Sequence, residues 1–225
     1  MPTIKAIIFD FDGVLFDTEA IHFAVFREVL RSEGIPLTLS RYHAAYVGLS
    51  DEACFRAILN DHRIVVPKED IQQLVRRKTD LVQRAFRASL PRVSGVSEFV
   101  SDASMRYRLA IASGALLQEI VLCLKLGSML TMFEHITAAG DVREGKPNPA
   151  PYLHALHALH GRSPIAANEC LVIEDTPHGV EAAHKAGMRC VAVTTTLPAD
   201  RLAQADLVVP SLHALRLEDL TVQLP

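Results

Sequence analysis

Short apolar runs rich in β-branched residues recur along the chain, with helical periodicity between them. Ile4–Phe9 (IKAIIF), Leu109–Ala112, Cys170–Ile173 and Cys190–Val193 each read as a buried strand, and Leu207–Val209 as a shorter candidate. Helical patterns fill the later intervals: Leu117–Leu126, Ala150–His160 after Pro147 and Pro149, and Gly179–Ala186, which ends at Gly187. Strand, helix, strand in alternation predicts an α/β fold with a parallel sheet. Strands that are apolar throughout predict that both faces of the sheet are covered.

One interval breaks the rhythm. A parallel crossover needs about a dozen residues, yet roughly 95 separate Gly13 from the strand near Arg108. The interval holds no convincing strand and reads as helices: Ala20–Glu33, Asp51–Arg63 with Ser50 as N-cap, and Lys68–Ser89 opened by Pro67. In the last of these, Ile71, Leu74, Val75, Leu81, Val82, Ala85 and Phe86 mark one apolar stripe. The pattern predicts an all-helical insert over residues 18–90, with a core domain built from 1–17 and 91–225. One continuous domain with long helical decoration is the alternative.

Composition narrows the function classes. The 225 residues are 49% hydrophobic and 22% charged, which excludes a disordered chain. The net charge of −3 supplies no basic field, so neither nucleic acid nor an anionic membrane surface is an expected partner. Ile4–Phe9 is too short for a signal h-region and runs into Asp10 and Asp12, and no apolar stretch reaches the ~18–20 residues of a membrane span. Cys54, Cys123, Cys170 and Cys190 show no CxxC spacing, and three lie in apolar runs. Reduced thiols in a cytoplasmic protein are expected.

The candidate chemistry lies at strand ends. Asp10 and Asp12 follow the first strand in Phe9-Asp10-Phe11-Asp12-Gly13, and Glu174 and Asp175 follow Cys170–Ile173. In an open α/β sheet the carboxyl ends of the strands line the ligand crevice. A strand-end Asp commonly does no more than cap the next turn. Four carboxylates at two strand ends are another matter, because two such charges ~4 Å apart repel by about 4 kcal/mol at an effective dielectric near 20. A hard cation with oxygen ligands relieves that repulsion, which points to Mg²⁺. Gly13 permits a sharp turn and leaves backbone N–H groups to face an anion. Ser113 and Gly114 end the Leu109–Ala112 strand, and Lys146 sits in the loop Gly145-Lys146-Pro147-Asn148-Pro149. A hydroxyl, an ammonium and a cation at one sheet edge suit a phosphoryl group, whose transfer depends on positioning and charge neutralisation.

These residues resemble a known family. Asp10-Phe11-Asp12-Gly13-Val14-Leu15-Phe16-Asp17-Thr18-Glu19 is similar to the first motif of the haloacid dehalogenase superfamily. Ser113 in Ile-Ala-Ser-Gly, Lys146 in Gly-Lys-Pro-Asn-Pro and Glu174-Asp175 in Val-Ile-Glu-Asp-Thr follow in the family's order. The helical insert resembles the cap of the branch that contains beta-phosphoglucomutase and phosphoglycolate phosphatase. The resemblance implies a Rossmann-like core, Mg²⁺ and an aspartyl-phosphate intermediate. It makes Asp10 the nucleophile and Asp12 the general acid and base, with Ser113 and Lys146 holding phosphoryl oxygens. Mg²⁺ would be bound by Asp10, the Asp12 carbonyl, Asp175 and Glu174. The family's true dehalogenases lack the second acidic residue of the first motif, so Asp12 argues against dehalogenation here.

The resemblance implies a phosphatase acting on a small phosphorylated metabolite, a sugar phosphate or phosphoglycolate-like acid. Two alternatives stay open: a phosphomutase, and a binding or regulatory protein without useful turnover. In the helical insert, His22 matches a His near the mutase active site, and the alternative for it is a packed helix residue. Arg76, Arg77 and Lys78 form a basic run that either reaches a substrate anion or is a solvated face. Where the mutase has an Arg after the motif like Gly48-Leu49-Ser50, this chain has Asp51, which favours hydrolysis. Other signals are set aside. Gly140 to Lys146 matches half of a nucleotide P-loop, but Pro147 replaces the Ser or Thr that would bind Mg²⁺. Ile111 and Ala115 replace both glycines of a serine-hydrolase elbow around Ser113. His154, His157 and His160 are read as a solvated row on one helix.

Overall fold

The computed structural model describes residues 3–161 and 163–217. In chain order the elements are β1 (Ala6–Phe9), α1 (Glu19–Ser32), α2 (Leu39–Ala45), α3 (Asp51–Asp61), α4 (Lys68–Ala88), α5 (Val96–Ser104), β2 (Arg108–Ala112), α6 (Leu117–Leu126), β3 (His135–Thr137), α7 (Ala150–Leu159), β4 (Cys170–Glu174), α8 (Pro177–Lys185), β5 (Arg189–Val193) and β6 (Leu207–Val209). They form two compact units. One joins the residues up to Asp17 with those from Pro91 onward, and the other is Thr18–Leu90.

The first unit is built on a six-stranded sheet in the order β3-β2-β1-β4-β5-β6, parallel at every pairing. Alternate strand residues point to opposite faces. Ala6, Ile8, Ala110, Ala112, Val172, Cys190 and Ala192 pack against Tyr152, Ala155 and Leu156 of α7 and Val180, Ala182 and Ala183 of α8. The small residues at these positions let the helices lie close. The intervening positions, among them Ile7, Phe9, Ile111, Ile173 and Val191, are equally buried, and Phe9 meets Phe99 of α5 and Phe133 edge-on. Helices cover both faces, as continuous apolar strands predict, and the result is the three-layer, Rossmann-like α/β arrangement that the resemblance implies.

From central β1 the chain runs outward to β2 and β3, then restarts on the other side with β4, β5 and β6. Strand order therefore reverses between β1 and β4, and a ligand crevice forms at the carboxyl ends where this happens. Register completes the placement. Phe9 pairs with both Ile111 and Ile173, so the residues that follow β1, β2 and β4 emerge side by side.

Three elements lack the expected sequence signal. β3 is a three-residue edge strand, His-Ile-Thr, with no apolar run to mark it. α2 has only seven residues, and α5 follows Gly95 as N-cap, whose φ of +80° breaks any continuous pattern. Elsewhere the ends of the expected elements move by one or two residues.

The second unit holds α1 to α4. Ser50 caps α3 as expected, its hydroxyl accepting from the Ala53 N–H at 3.4 Å. Phe26 packs on Phe55 with ring centroids 4.8 Å apart, and Tyr42 closes the cluster. α4 buries Ile71, Leu74, Val82 and Phe86 from the expected stripe, and Lys78 and Thr79 with them. Val75, Leu81 and Ala85 are only half-buried.

Candidate active site

Asp10 leaves β1 with its N–H on the Ile173 carbonyl at 2.9 Å, which ties it to the end of β4. Glu174 ends β4 and Asp175 follows it, both buried. One oxygen from each of Asp10, Glu174 and Asp175 lies within 4.8 Å of the others. Lys146 reaches this group from the loop before α7, its Nζ donating to Asp10 Oδ1 and Glu174 Oε1 at 2.6 Å each. The ammonium thus joins residues 136 and 28 positions away in sequence. Ser113 is buried at the end of β2, its N–H on the Thr137 carbonyl and its Oγ accepting from the Ala115 N–H. Asp12 is half-buried and pairs by backbone bridge with Phe16. Gly13 takes the left-handed turn its position demands, at φ +74°. Its own N–H donates to the Phe16 carbonyl at 2.7 Å, so that donor is not available to an anion. Gly114 is exposed, with open space around its Cα.

Burial and crowding set the charges. Burial pushes the Asp10 carboxyl up to about 7, with Lys146 pulling the other way and Glu174 and Asp12 adding to the rise. Asp175 is driven well above the usual carboxylate range by burial and by the charges of Glu174 and Asp10, although the Thr196 hydroxyl donates to it. Glu174 is also opposed by burial, but Lys146, Tyr152 and the Asp175 N–H bring it below its ordinary value. Burial likewise works against the Lys146 charge, and Asp10 with Glu174 outweighs it, holding the ammonium charged. Glu174 is the hub. Its Oε1 accepts from Lys146 and from the Tyr152 hydroxyl, and its Oε2 from the Asp175 N–H, the Thr176 N–H and the Thr176 hydroxyl. Asp175 Oδ1, by contrast, is buried with no hydrogen-bond partner.

Several residues of this site had not been singled out from sequence. Tyr152 and Thr196 contact the carboxylates directly. Gly179, in the first turn of α8, lies so close to Glu174 that a Cβ would stand 1.7 Å from Oε1. Gly13 is equally hemmed in, with Asp175 Oδ2 1.9 Å from where its Cβ would be. A glycine in a helical first turn just after an acidic strand end is the signal that could have found Gly179. Tyr152 offers its place six residues after Lys146. The histidine row also needs correcting. Only His157 is exposed; His154 Nδ1 meets the Thr137 hydroxyl at 2.9 Å, and His160 Nε2 meets the Ile165 carbonyl at 3.0 Å.

Within the helical unit the basic run divides, because consecutive helix residues are turned 100° apart. Arg76 is exposed, and Arg77 pairs at the surface with Glu33 at 2.6 Å. Lys78 is fully buried, its Nζ 2.7 Å from Asp51 Oδ1, 2.6 Å from His22 Nδ1 and 5.1 Å from the Phe26 ring centre. An ammonium only donates, so His22 Nδ1 accepts and its proton sits on Nε2. Its spacing from Ile71, Leu74 and Val82 placed Lys78 on the apolar stripe all along. Removing Asp51 strands a buried charge. Asp51→Ala should cost about 3 kcal/mol in urea unfolding, and Asp51→Ala with Lys78→Met should recover most of it. Equal loss in both would refute the pairing.

The fold and this group of residues define an α/β protein with a lysine-bridged acidic cluster at the carboxyl edge of its parallel sheet. The chain belongs to the haloacid dehalogenase-like hydrolases, whose family model matches residues 7–193. It is 33% identical over 191 residues to the Bacillus subtilis protein YhcW, covering 84% of this chain and 83% of that one. It is 30% identical to the phosphorylated carbohydrates phosphatase of Thermotoga maritima, covering 82% of each. CbbY from Rhodobacter sphaeroides, solved in complex with phosphate, superposes with a TM-score of 0.84 at 26% identity, over 98% of this chain and all of that one. Among the described residues no helix is long and apolar enough to cross a membrane.

Proposed function

We propose that this protein is a Mg²⁺-dependent phosphatase of small phosphorylated metabolites, sugar phosphates foremost, working through an aspartyl-phosphate on Asp10. The observation that carries the reading is the Lys146 ammonium held between Asp10 and Glu174, beside an Asp175 oxygen without a partner. The Thermotoga relative's activity on phosphorylated carbohydrates supports the substrate class.

The residues fit a hard divalent cation: the donors are all oxygen, they repel one another, and Asp175 Oδ1 is buried and unsatisfied. Asp10, Asp175 and the Asp12 carbonyl would hold it. Glu174 already accepts five hydrogen bonds on a carboxylate with about four lone-pair sites, so its part is to fix Lys146 and the turn after β4. Bound there, Mg²⁺ supplies positive charge to the carboxylates and to the phosphoryl oxygens. Asp10 attacks phosphorus in line, and the leaving oxygen takes its proton from Asp12. Asp12 then takes a proton from water, which attacks the phosphoryl group, releases phosphate and frees Asp10. Ser113 Oγ and Lys146 Nζ hold phosphoryl oxygens throughout.

A panel of phosphorylated metabolites tests this, with Mg²⁺ and then with chelator. Phosphate release that needs the metal is expected. Net isomer formation from a sugar phosphate and its bisphosphate, without phosphate release, would make the protein a mutase instead.

The raised carboxyls set a pH dependence. Asp10 and Asp175 bind protons more tightly folded than unfolded. The metal-free fold therefore loses stability as pH climbs from the unfolded value of 3.8 through about 7. Cation binding must displace the Asp10 proton, so the apparent Mg²⁺ dissociation constant should rise by about tenfold or more per pH unit below 7. The gain in Tm on adding Mg²⁺ should then be larger at pH 8 than at pH 6. An equal gain at both, by differential scanning fluorimetry, would count against these ligands.

A further inference from the structure

We propose that Tyr152 is a positioning residue of this site, which aims the Lys146 ammonium by holding its carboxylate partner from one side and its charge from the other. The proposal rests on the phosphatase reading above.

Tyr152 lies in the first turn of α7, six residues after Lys146, and among the described residues is the largest side chain to be fully buried. Its ring fills the sheet face shared with Ala6, Ile8 and Ala112, a surface that a Phe would fill equally well. The hydroxyl is what needs explaining, because an unpaired one would be costly there. It donates to Glu174 Oε1 at 2.8 Å, the same oxygen that takes Lys146 Nζ at 2.6 Å. The ring face meanwhile lies 4.8 Å from Nζ, within cation–π range. One side chain thus satisfies part of Glu174 and supports the ammonium.

This matters because Glu174 and Asp10 compete for Lys146. With its hydroxyl on Oε1, Tyr152 shares in neutralising Glu174, so the ammonium is not drawn wholly to that carboxylate. An ammonium has three donors. Two are on Asp10 and Glu174, which leaves the third for a phosphoryl oxygen. Take away the Tyr152 hydroxyl, and Oε1 depends on Lys146 alone, pulling Nζ from the position where it serves the phosphate.

The test is Tyr152→Phe, which keeps the ring and removes the hydroxyl. Calorimetry with inorganic phosphate in saturating Mg²⁺ should show affinity weakened about tenfold or more, the loss of one charge-assisted hydrogen bond. Mg²⁺ binding should stay within about twofold, since Tyr152 touches none of the atoms assigned to the cation. In a Lys146→Met background the same change should weaken phosphate no further. If Tyr152→Phe does not fold, Tyr152→Met serves, and losing the ring face as well should weaken phosphate about a hundredfold. Unchanged phosphate affinity, or a parallel loss of Mg²⁺ affinity, phosphate affinity and Tm, would overturn the assignment and leave Tyr152 as packing. A wild-type protein that binds Mg²⁺ and phosphate while the variant matches it sinks Tyr152 alone. A wild type that binds neither sinks the phosphatase reading, and this inference with it.

Discussion

Asp10→Asn is expected to lower kcat by more than about 10⁴-fold while leaving the protein folded. An amide nitrogen in place of a carboxylate oxygen removes the proposed nucleophile at almost no change in volume. The fold should tolerate it well, because burial already disfavours the Asp10 charge and pushes its carboxyl up to about 7. In metal-free buffer at pH 8, where the wild type must keep that carboxylate ionised, the variant should melt no lower than the wild type. Rate and stability are thus expected to part company: turnover lost, Tm kept or raised. Equal phosphate release by wild type and variant on the best substrate of the panel would remove Asp10 from the chemistry.

Gly179→Ala should be damaging too, and for a reason that helix propensity gets backwards. Alanine in a helix is ordinarily worth about 0.5–1 kcal/mol over glycine. Here the new Cβ would lie 1.7 Å from Glu174 Oε1 and 1.8 Å from its carboxyl carbon, so Glu174 must move. With it go the bonds from Lys146, Tyr152 and the turn at Thr176. A displacement of about 1 Å at a catalytic group costs on the order of a hundredfold in rate. We expect kcat/KM to fall by at least that much and Tm to fall rather than rise. A variant that melts higher and stays active would show that the space around Glu174 gives way.

Much of this site was legible because it is written in local patterns. An acidic pair directly after an apolar strand, repeated at a second strand, announces carboxylates at a sheet edge whatever the rest of the chain does. The same holds for Ser113 after β2 and for Lys146 in its proline-flanked loop. The illegible parts depend on distance through space. His135–Thr137 becomes a strand only because β2 lies alongside to pair with it. His154 leaves the solvent only because that strand brings the Thr137 hydroxyl to it. Arg77 and Lys78 are neighbours of like charge in sequence, yet one lies at the surface and the other in the core.

Taken alone, the amino-acid order determined the alternation of strands and helices, the helical stretch over 18–90, and the acidic, hydroxyl and ammonium groups at strand ends. These follow from side-chain periodicity and chain reach, which are properties of neighbouring residues. The tertiary structure alone decided that Glu174 is filled by five donors while an oxygen of Asp175 has none, that Tyr152 lies against Lys146, and that a Cβ at 179 would run into the Glu174 carboxyl. Those facts depend on how closely segments far apart in sequence approach, and differences of an ångström there are set by packing, which no local pattern records.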